Sequence, residues 1–254
     1  MTAVTPTLHQ RAQAFWIYAG LMSVVAFTIG WVGLEGFLPP LAPSDGPEAI
    51  TQEFEARATG IRLGAIFMIV GTMFWVPWAT VVAAQTRSTE GVRPVNAWTQ
   101  IGSAAVATAV IIMGQMFWIV AAFRDRSPEI TQLLSDMGFI CEILPFIIFV
   151  VWNIALTWSI FLDDRAQPAY PRWAAYFSLW CALLYVPGGC LAFFYDGPFA
   201  WDGALAFYLP AIAFFVWFLG FSLLTLQAIK RQPSIDGHAE VPAAEAPTAP
   251  VGVA

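Results

Sequence analysis

Phe139-Ile140-Cys141-Glu142-Ile143-Leu144-Pro145-Phe146-Ile147-Ile148-Phe149-Val150-Val151-Trp152-Asn153 lies inside an apolar run from Gly138 to Leu162 that carries one charged residue, Glu142. A run of this length matches the ~20 residues needed to cross a hydrocarbon core. In lipid every backbone N–H and C=O needs an internal partner, so such a run is a helix. A strand of a transmembrane barrel would alternate apolar and polar residues over ~10 positions, which this stretch does not do. The run therefore sets the fold class: an all-α, polytopic transmembrane helix bundle.

Five more runs share its character. The six predicted spans are approximately Phe15–Gly36, Ile61–Ala84, Trp98–Phe123, Gly138–Leu162, Trp173–Tyr195 and Gly203–Ile229. Composition agrees, because 59% of the 254 residues are hydrophobic and only 11% charged, whereas a soluble domain carries about 25% charged residues. The first run outlasts a signal-peptide core, and no small-x-small cleavage site follows Gly30, so it reads as a retained span. Residues 1–14 form an N-terminal segment, 15–229 the six-span domain, and 230–254 a tail whose Pro and Ala content predicts disorder.

The Lys and Arg residues set an expected orientation. Arg11, Arg87, Arg93, Arg165, Arg172, Lys230 and Arg231 fall on the side of the termini, and Arg57, Arg62, Arg124 and Arg126 on the other. Both termini are thus expected in the cytoplasm. Acidic residues gather on the outer side: Glu35, Asp45, Glu48, Glu53, Glu55, Asp125, Glu129, Asp136, Asp196 and Asp202. A solvated surface with helix caps explains most of this; attraction of cations or of a partner is the sharper reading. The net charge of −6 argues against nucleic acid as a partner.

Two outer segments echo each other. Ser44-Asp45-Gly46-Pro47-Glu48 precedes span two, and Asp125-Arg126-Ser127-Pro128-Glu129 precedes span four. Proline in the first turn and an acid against the positive end of the dipole both favour a helix start. Each is read as opening a short amphipathic helix on the outer face. With Asp202-Gly203 opening span six, the chain reads as three helical hairpins in a row, an arrangement that would follow from an ancient triplication.

Much chemistry is excluded by residue type. The two histidines, His9 and His238, lie in the terminal segments, so no imidazole set on the spans can hold haem or a di-iron centre. There is no P-loop, nucleophile elbow or Asp-rich magnesium motif. Cys141, Cys181 and Cys190 sit in apolar runs, and the last two fall on opposite helix faces, which suits packing better than a disulfide or thiolate site. The sequence implies no cofactor and no metal centre.

What remains is a few polar groups within the spans. An ionisable side chain at membrane depth costs ~2.5–3.5 kcal/mol on insertion scales, so Glu142 should face the bundle interior and have a partner or a task. Asn153 lies eleven positions on, about 20° round an ideal helix, and Gln115 in span three reaches a similar depth to Glu142. The three are candidates for one polar seam, with Arg62 a candidate ion-pair partner of Glu142. The plainer account is helix–helix hydrogen bonding at ~0.6 kcal/mol each. Trp75 and Trp78 share a face, where packing is commoner than a ligand cage. Pro77, Pro145, Pro187 and Pro210 interrupt four spans and predict kinks; broken helices also line cavities in transporters.

The segments Ala58-Thr59-Gly60-Ile61-Arg62-Leu63-Gly64, Asp125 to Gln132, Tyr170-Pro171-Arg172-Trp173, Val186-Pro187-Gly188-Gly189 and Gly197-Pro198-Phe199-Ala200-Trp201-Asp202-Gly203 together resemble a family of uncharacterised bacterial six-helix inner-membrane proteins, over about residues 45 to 230. The resemblance implies a bacterial inner-membrane location and adds no activity. Two function classes survive. One is a protein that binds or moves a lipophilic or cationic small molecule, with Glu142, Gln115, Asn153, Arg62, Trp75 and Trp78 as candidate ligand-binding residues. The other is a non-catalytic subunit or scaffold, partnered by another membrane protein or by its own copies. A membrane-embedded enzyme acting on a lipid or terpenoid is a weaker third, with Glu142 as its acid.

Overall fold

A computed structural model describes residues 7–232. His238 and residues 233–254 of the tail lie outside them. Among the described residues the chain is all-helical, with six helices long and apolar enough to cross a membrane: Leu8–Glu35, Ala58–Ala84, Val95–Ala122, Pro128–Phe161, Arg172–Phe193 and Ala204–Arg231. It is a multi-pass membrane protein. Six spans return both described ends to one face, called here the terminal face.

Span one begins earlier than the apolar run suggests. Thr7 caps α1 (Leu8–Phe27) in a reciprocal box with Gln10, which satisfies helix-start N–H groups before the apolar residues begin. A π-helical segment, Thr28–Glu35, completes the span, and Gly36 ends it at φ 70°, a left-handed value that glycine adopts without strain. On the opposite face, α2 (Pro47–Ala56) is the expected short surface helix. The second expected surface helix is not separate. From Pro128 it continues to Ile143 as α6, because no proline stands between Gln132 and Pro145 and the buried Gly138 is accommodated within the helix.

The four prolines coincide with the breaks. Span two divides into α3 (Ala58–Met73) and α4 (Trp75–Ala84), just before Pro77. Span three is the uninterrupted α5 (Val95–Ala122). Span four divides into α6 and α7 (Phe146–Phe161) at Leu144-Pro145. In span five α8 (Arg172–Tyr185) passes into a 3₁₀ segment, Val186–Phe193, at Pro187. In span six a π-helical segment, Ala204–Tyr208, precedes α9 (Leu209–Arg231), in which Pro210 is the second residue. Each proline lacks the N–H that would bond four residues back.

Consecutive spans pack against one another, and α9 returns against α1, so the six close into a ring. Aromatic rings from spans two, four and six fill its centre in two layers. Trp78, Trp152 and Trp217 form one, with centroids 5.4–6.0 Å apart. Trp75, Phe149 and Phe214 form the next, at 4.9–5.9 Å. Each span thus supplies two rings three positions apart, which share a helix face. The sequences match: Pro145-Phe146-Ile147-Ile148-Phe149-Val150-Val151-Trp152 and Pro210-Ala211-Ile212-Ala213-Phe214-Phe215-Val216-Trp217 share Pro, Phe, Val and Trp in register. Span two has Gly71, Trp75 and Trp78 at the corresponding places.

Candidate functional site

Just beyond the second aromatic layer, toward the face that bears α2, lies a cavity of about 250 Å³. Trp75, Phe149 and Phe214 from that layer line it, together with Phe27, Trp31, Phe146, Phe207 and Phe215. Val32, Leu38 and Ile212 border it and are exposed, Val32 on span one and Ile212 on span six. The cavity therefore opens sideways between spans one and six, both of which are π-helical at this level. π-Helical turns are rare and cluster at functional sites. Here they place Thr28, Trp31 and Val32 on one side of the mouth and Phe207 and Tyr208 on the other.

Among the described residues, Glu142 is the only carboxylate in the lining. Its Oε1 accepts a hydrogen bond of 2.6 Å from Gln115 Nε2. The sequence pairing of these two is what the structure shows, and Gly114 makes it close. A side chain at Gly114 would meet Cys141 Cβ and the Gly138 carbonyl at 3.0 Å and Glu142 Oε1 at 3.2 Å. Above the pair, toward the α2 face, Trp31, Phe37, Trp118 and Phe139 close over it with centroids 4.7–6.3 Å apart. Trp31 Nε1 donates to the Phe37 carbonyl and Trp118 Nε1 to the Ser135 carbonyl.

Two other candidates stand apart from the seam. Asn153 is fully buried but donates to the Phe149 carbonyl and accepts from Ser178 Oγ at 2.7 Å. The Pro145 break and the two aromatic layers separate it from Glu142, so the 20° estimate for an unbroken helix does not apply. Arg62 makes no ion pair with Glu142. Its guanidinium curls back to the Ala58 carbonyl and Thr59 Oγ1, because at the head of span two it reaches polar groups of its own first turn. Trp75 lines the cavity and donates to Ser23 Oγ, whereas Trp78 lies in the deeper layer and donates to Ser222 Oγ.

Glu35 needs a correction of another kind. Expected among the solvated outer acids, it is 0% exposed, and neither carboxyl oxygen has a partner. The chain after it, Phe37-Leu38-Pro39-Pro40-Leu41, is apolar and folds over the bundle end, so the end of span one is not yet at water. That apolar continuation was the available signal. Glu35 packs on Gly64, where a side chain would stand 2.5 Å from Glu35 Cγ.

The terminal face is closed by polar groups. Gln13, Gln85 and Gln232 hydrogen-bond mutually at 2.9–3.2 Å, and Gln10 donates to the Ile229 and Gln232 carbonyls. Asp163, just beyond span four, accepts two bonds of 2.7 Å from Arg165 and one from the Ala169 N–H. Burial alone would raise the Asp163 carboxyl, but these donors outweigh it and hold it below the ordinary carboxylate value. Gln232, expected in the disordered tail with Lys230 and Arg231, is instead fixed in this cluster, and those two residues complete α9.

A search among known proteins gives no matching family model, no matching curated protein and no matching solved structure.

Proposed function

We propose that this membrane protein binds a lipophilic organic cation that enters from the bilayer through the mouth between spans one and six. The observation that carries the reading is the cavity wall: aromatic rings on most sides and one carboxylate, Glu142, among them. Ring faces attract cations at ~0.5–2 kcal/mol each, most when desolvated. A carboxylate in an apolar pocket supplies the orienting polar contact that small-molecule sites need. A neutral apolar ligand would offer the Glu142 carboxylate no counter-charge beyond its hydrogen bond from Gln115, so the pocket favours an apolar body with one positive centre. From the Lys and Arg bias we further propose that the protein sits in a bacterial inner membrane with cytoplasmic termini, which puts the cavity in the outer half.

The test is isothermal titration of detergent-purified protein with benzyltrimethylammonium, using neopentylbenzene as a neutral competitor of the same shape. Saturable binding of the cation is expected, and the neutral compound should compete poorly. Glu142→Gln should weaken cation binding at least ~10-fold, about 1.4 kcal/mol, with an unchanged gel-filtration profile. Equal affinity in wild type and variant would overturn the reading.

A further inference from the structure

A second recess lies at the other end of the bundle, on the terminal face. Its volume is about 400 Å³, and the end of span two, the loop after span four and the end of span six frame it. Two arginines line it, Arg165 from the loop and Arg231 from the last turn of α9. Gln85, Ser88, Gln167 and Gln232 supply its other polar side chains, and among the described residues the lining holds no carboxylate. Ala84 ends α4 and Arg231 ends α9, so the recess sits where the apolar helices give out. That is the depth of the polar headgroups, not of the hydrocarbon.

Both guanidinium groups are already held in place. Asp163 clamps Arg165 through Nε and Nη2 at 2.7 Å each, and Nη2 also donates to the Gln85 carbonyl at 2.9 Å. Asp163 is itself buried, so this clamp is anchored in the body of the protein. Arg231 donates from Nε to the Gln227 carbonyl and from Nη2 to the Ala169 carbonyl, both at 3.3 Å. Two long side chains are thus ordered before any ligand arrives, the preorganisation that favours binding. Among the described residues, Nη1 of each arginine has no hydrogen-bond partner, nor do Ser88 Oγ and the Gln167 carboxamide. Asp163 balances the charge of Arg165, whereas Arg231 pairs with no acid among the described residues.

Unused N–H donors around one uncompensated positive charge call for an anion. Guanidinium groups match phosphate oxygens in geometry and charge. A phosphate group presents at least three acceptor oxygens in a tetrahedral array, enough for two arginines, a hydroxyl and a carboxamide. A carboxylate presents two oxygens in one plane. We propose that this recess binds a phosphate group, with Arg231 as its charge partner and Arg165 as a second donor that Asp163 positions. Lipid headgroups and soluble phosphate compounds both bring that chemistry to this depth, and basic pockets between spans are suited to headgroups. The aromatic layers separate this recess from the cavity at Glu142, so the proposal does not depend on the cation site.

The probe is inorganic phosphate, titrated calorimetrically into the full-length protein in dodecyl maltoside, a detergent without phosphate. Saturable binding is expected, with acetate at matched ionic strength weaker by at least ~10-fold. Arg231→Gln should weaken phosphate by at least ~10-fold. Arg172 lies on the same face but outside the recess, where it donates to the Phe161 carbonyl, so Arg172→Gln should leave phosphate affinity unchanged. Gln167 is exposed on the loop, so Gln167→Glu keeps the fold and should weaken phosphate even where Arg231→Gln fails to fold. Phosphatidylglycerol added to the micelles identifies the source. Displacement of phosphate, with lipid retained in native mass spectrometry by wild type and lost in Arg231→Gln, makes it a headgroup site; unchanged phosphate affinity makes it a site for a soluble phosphate compound. Equal weakening in Arg172→Gln and Arg231→Gln, or acetate binding as tightly as phosphate, would overturn the proposal. So would wild-type protein that neither binds phosphate saturably nor retains the lipid through Arg231.

Discussion

Gly64 shows how far the site depends on one missing methyl group. A Cβ there would stand 2.5 Å from Glu35 Cγ and 2.8 Å from the Gly30 carbonyl, and the second neighbour is backbone that cannot rotate away. Gly64→Ala should therefore destabilise the protein by about 1–3 kcal/mol, the usual cost of overpacking, read as a lower unfolding midpoint in detergent. Gly102→Ala is the control. Nothing lies within 4 Å of a Cβ at Gly102, and replacing a helical glycine gains about 0.5–1 kcal/mol, so its midpoint should hold or rise. The sequence made Glu142 and Gln115 legible because they are rare polar residues in apolar runs at matched depth. Glu35 was not legible by that rule: it ends its run, and a run's end reads as the water boundary unless the following loop is seen to be apolar.

Among the elements, the spans and their breaks were readable, since length, hydropathy and proline act locally. The aromatic layers were harder to read. Each pair, such as Phe149 and Trp152, is ordinary in a membrane helix, and its meaning appears only when three spans point theirs at one axis. The matching Pro-x-x-x-Phe-x-Val-Trp stretches of spans four and six give the three-hairpin reading firmer ground than the loop motifs first used for it. The break at Pro145 separates Glu142 above from the Phe149–Trp152 ring pair below. Pro145→Ala would restore the N–H that can bond the Cys141 carbonyl and straighten the span. Benzyltrimethylammonium affinity should then fall several-fold, while the unfolding midpoint stays level or rises. The loop after span four gives a pH prediction. The Asp163 carboxyl is held below its ordinary value by Arg165 and the Ala169 N–H, so its stabilising effect is complete above the unfolded value near ~3.9 and is lost as pH falls through the lower folded value. Asp163→Asn should lower the midpoint at pH 7, and the gap from wild type should close as the pH drops below about 4.

Across the whole molecule, the polar groups sort by depth. Glutamines and the Asp163–Arg165 pair close the terminal face, aromatic layers fill the next levels, and the Gln115–Glu142 pair sits above them beneath the Trp31–Trp118 plug. Packed aromatic rings flank Glu142 along the axis, and Val32 and Ile212 are exposed lining side chains of spans one and six, so the proposed access to Glu142 is lateral. Ile212 tests that directly. It is 62% exposed and borders the cavity on span six, with lipid as its outer neighbour, so a larger side chain there has room to fold over the mouth without entering the packed core. Ile212→Trp should leave expression and the unfolding midpoint unchanged, because tryptophan remains an apolar lipid-facing residue. It should slow both association and release of benzyltrimethylammonium in stopped-flow fluorescence by about 10-fold, a barrier change of about 1.4 kcal/mol, with a much smaller change in equilibrium affinity. If rates are unaltered while Glu142→Gln still weakens binding, the cation reaches Glu142 by another route, and lateral entry is wrong.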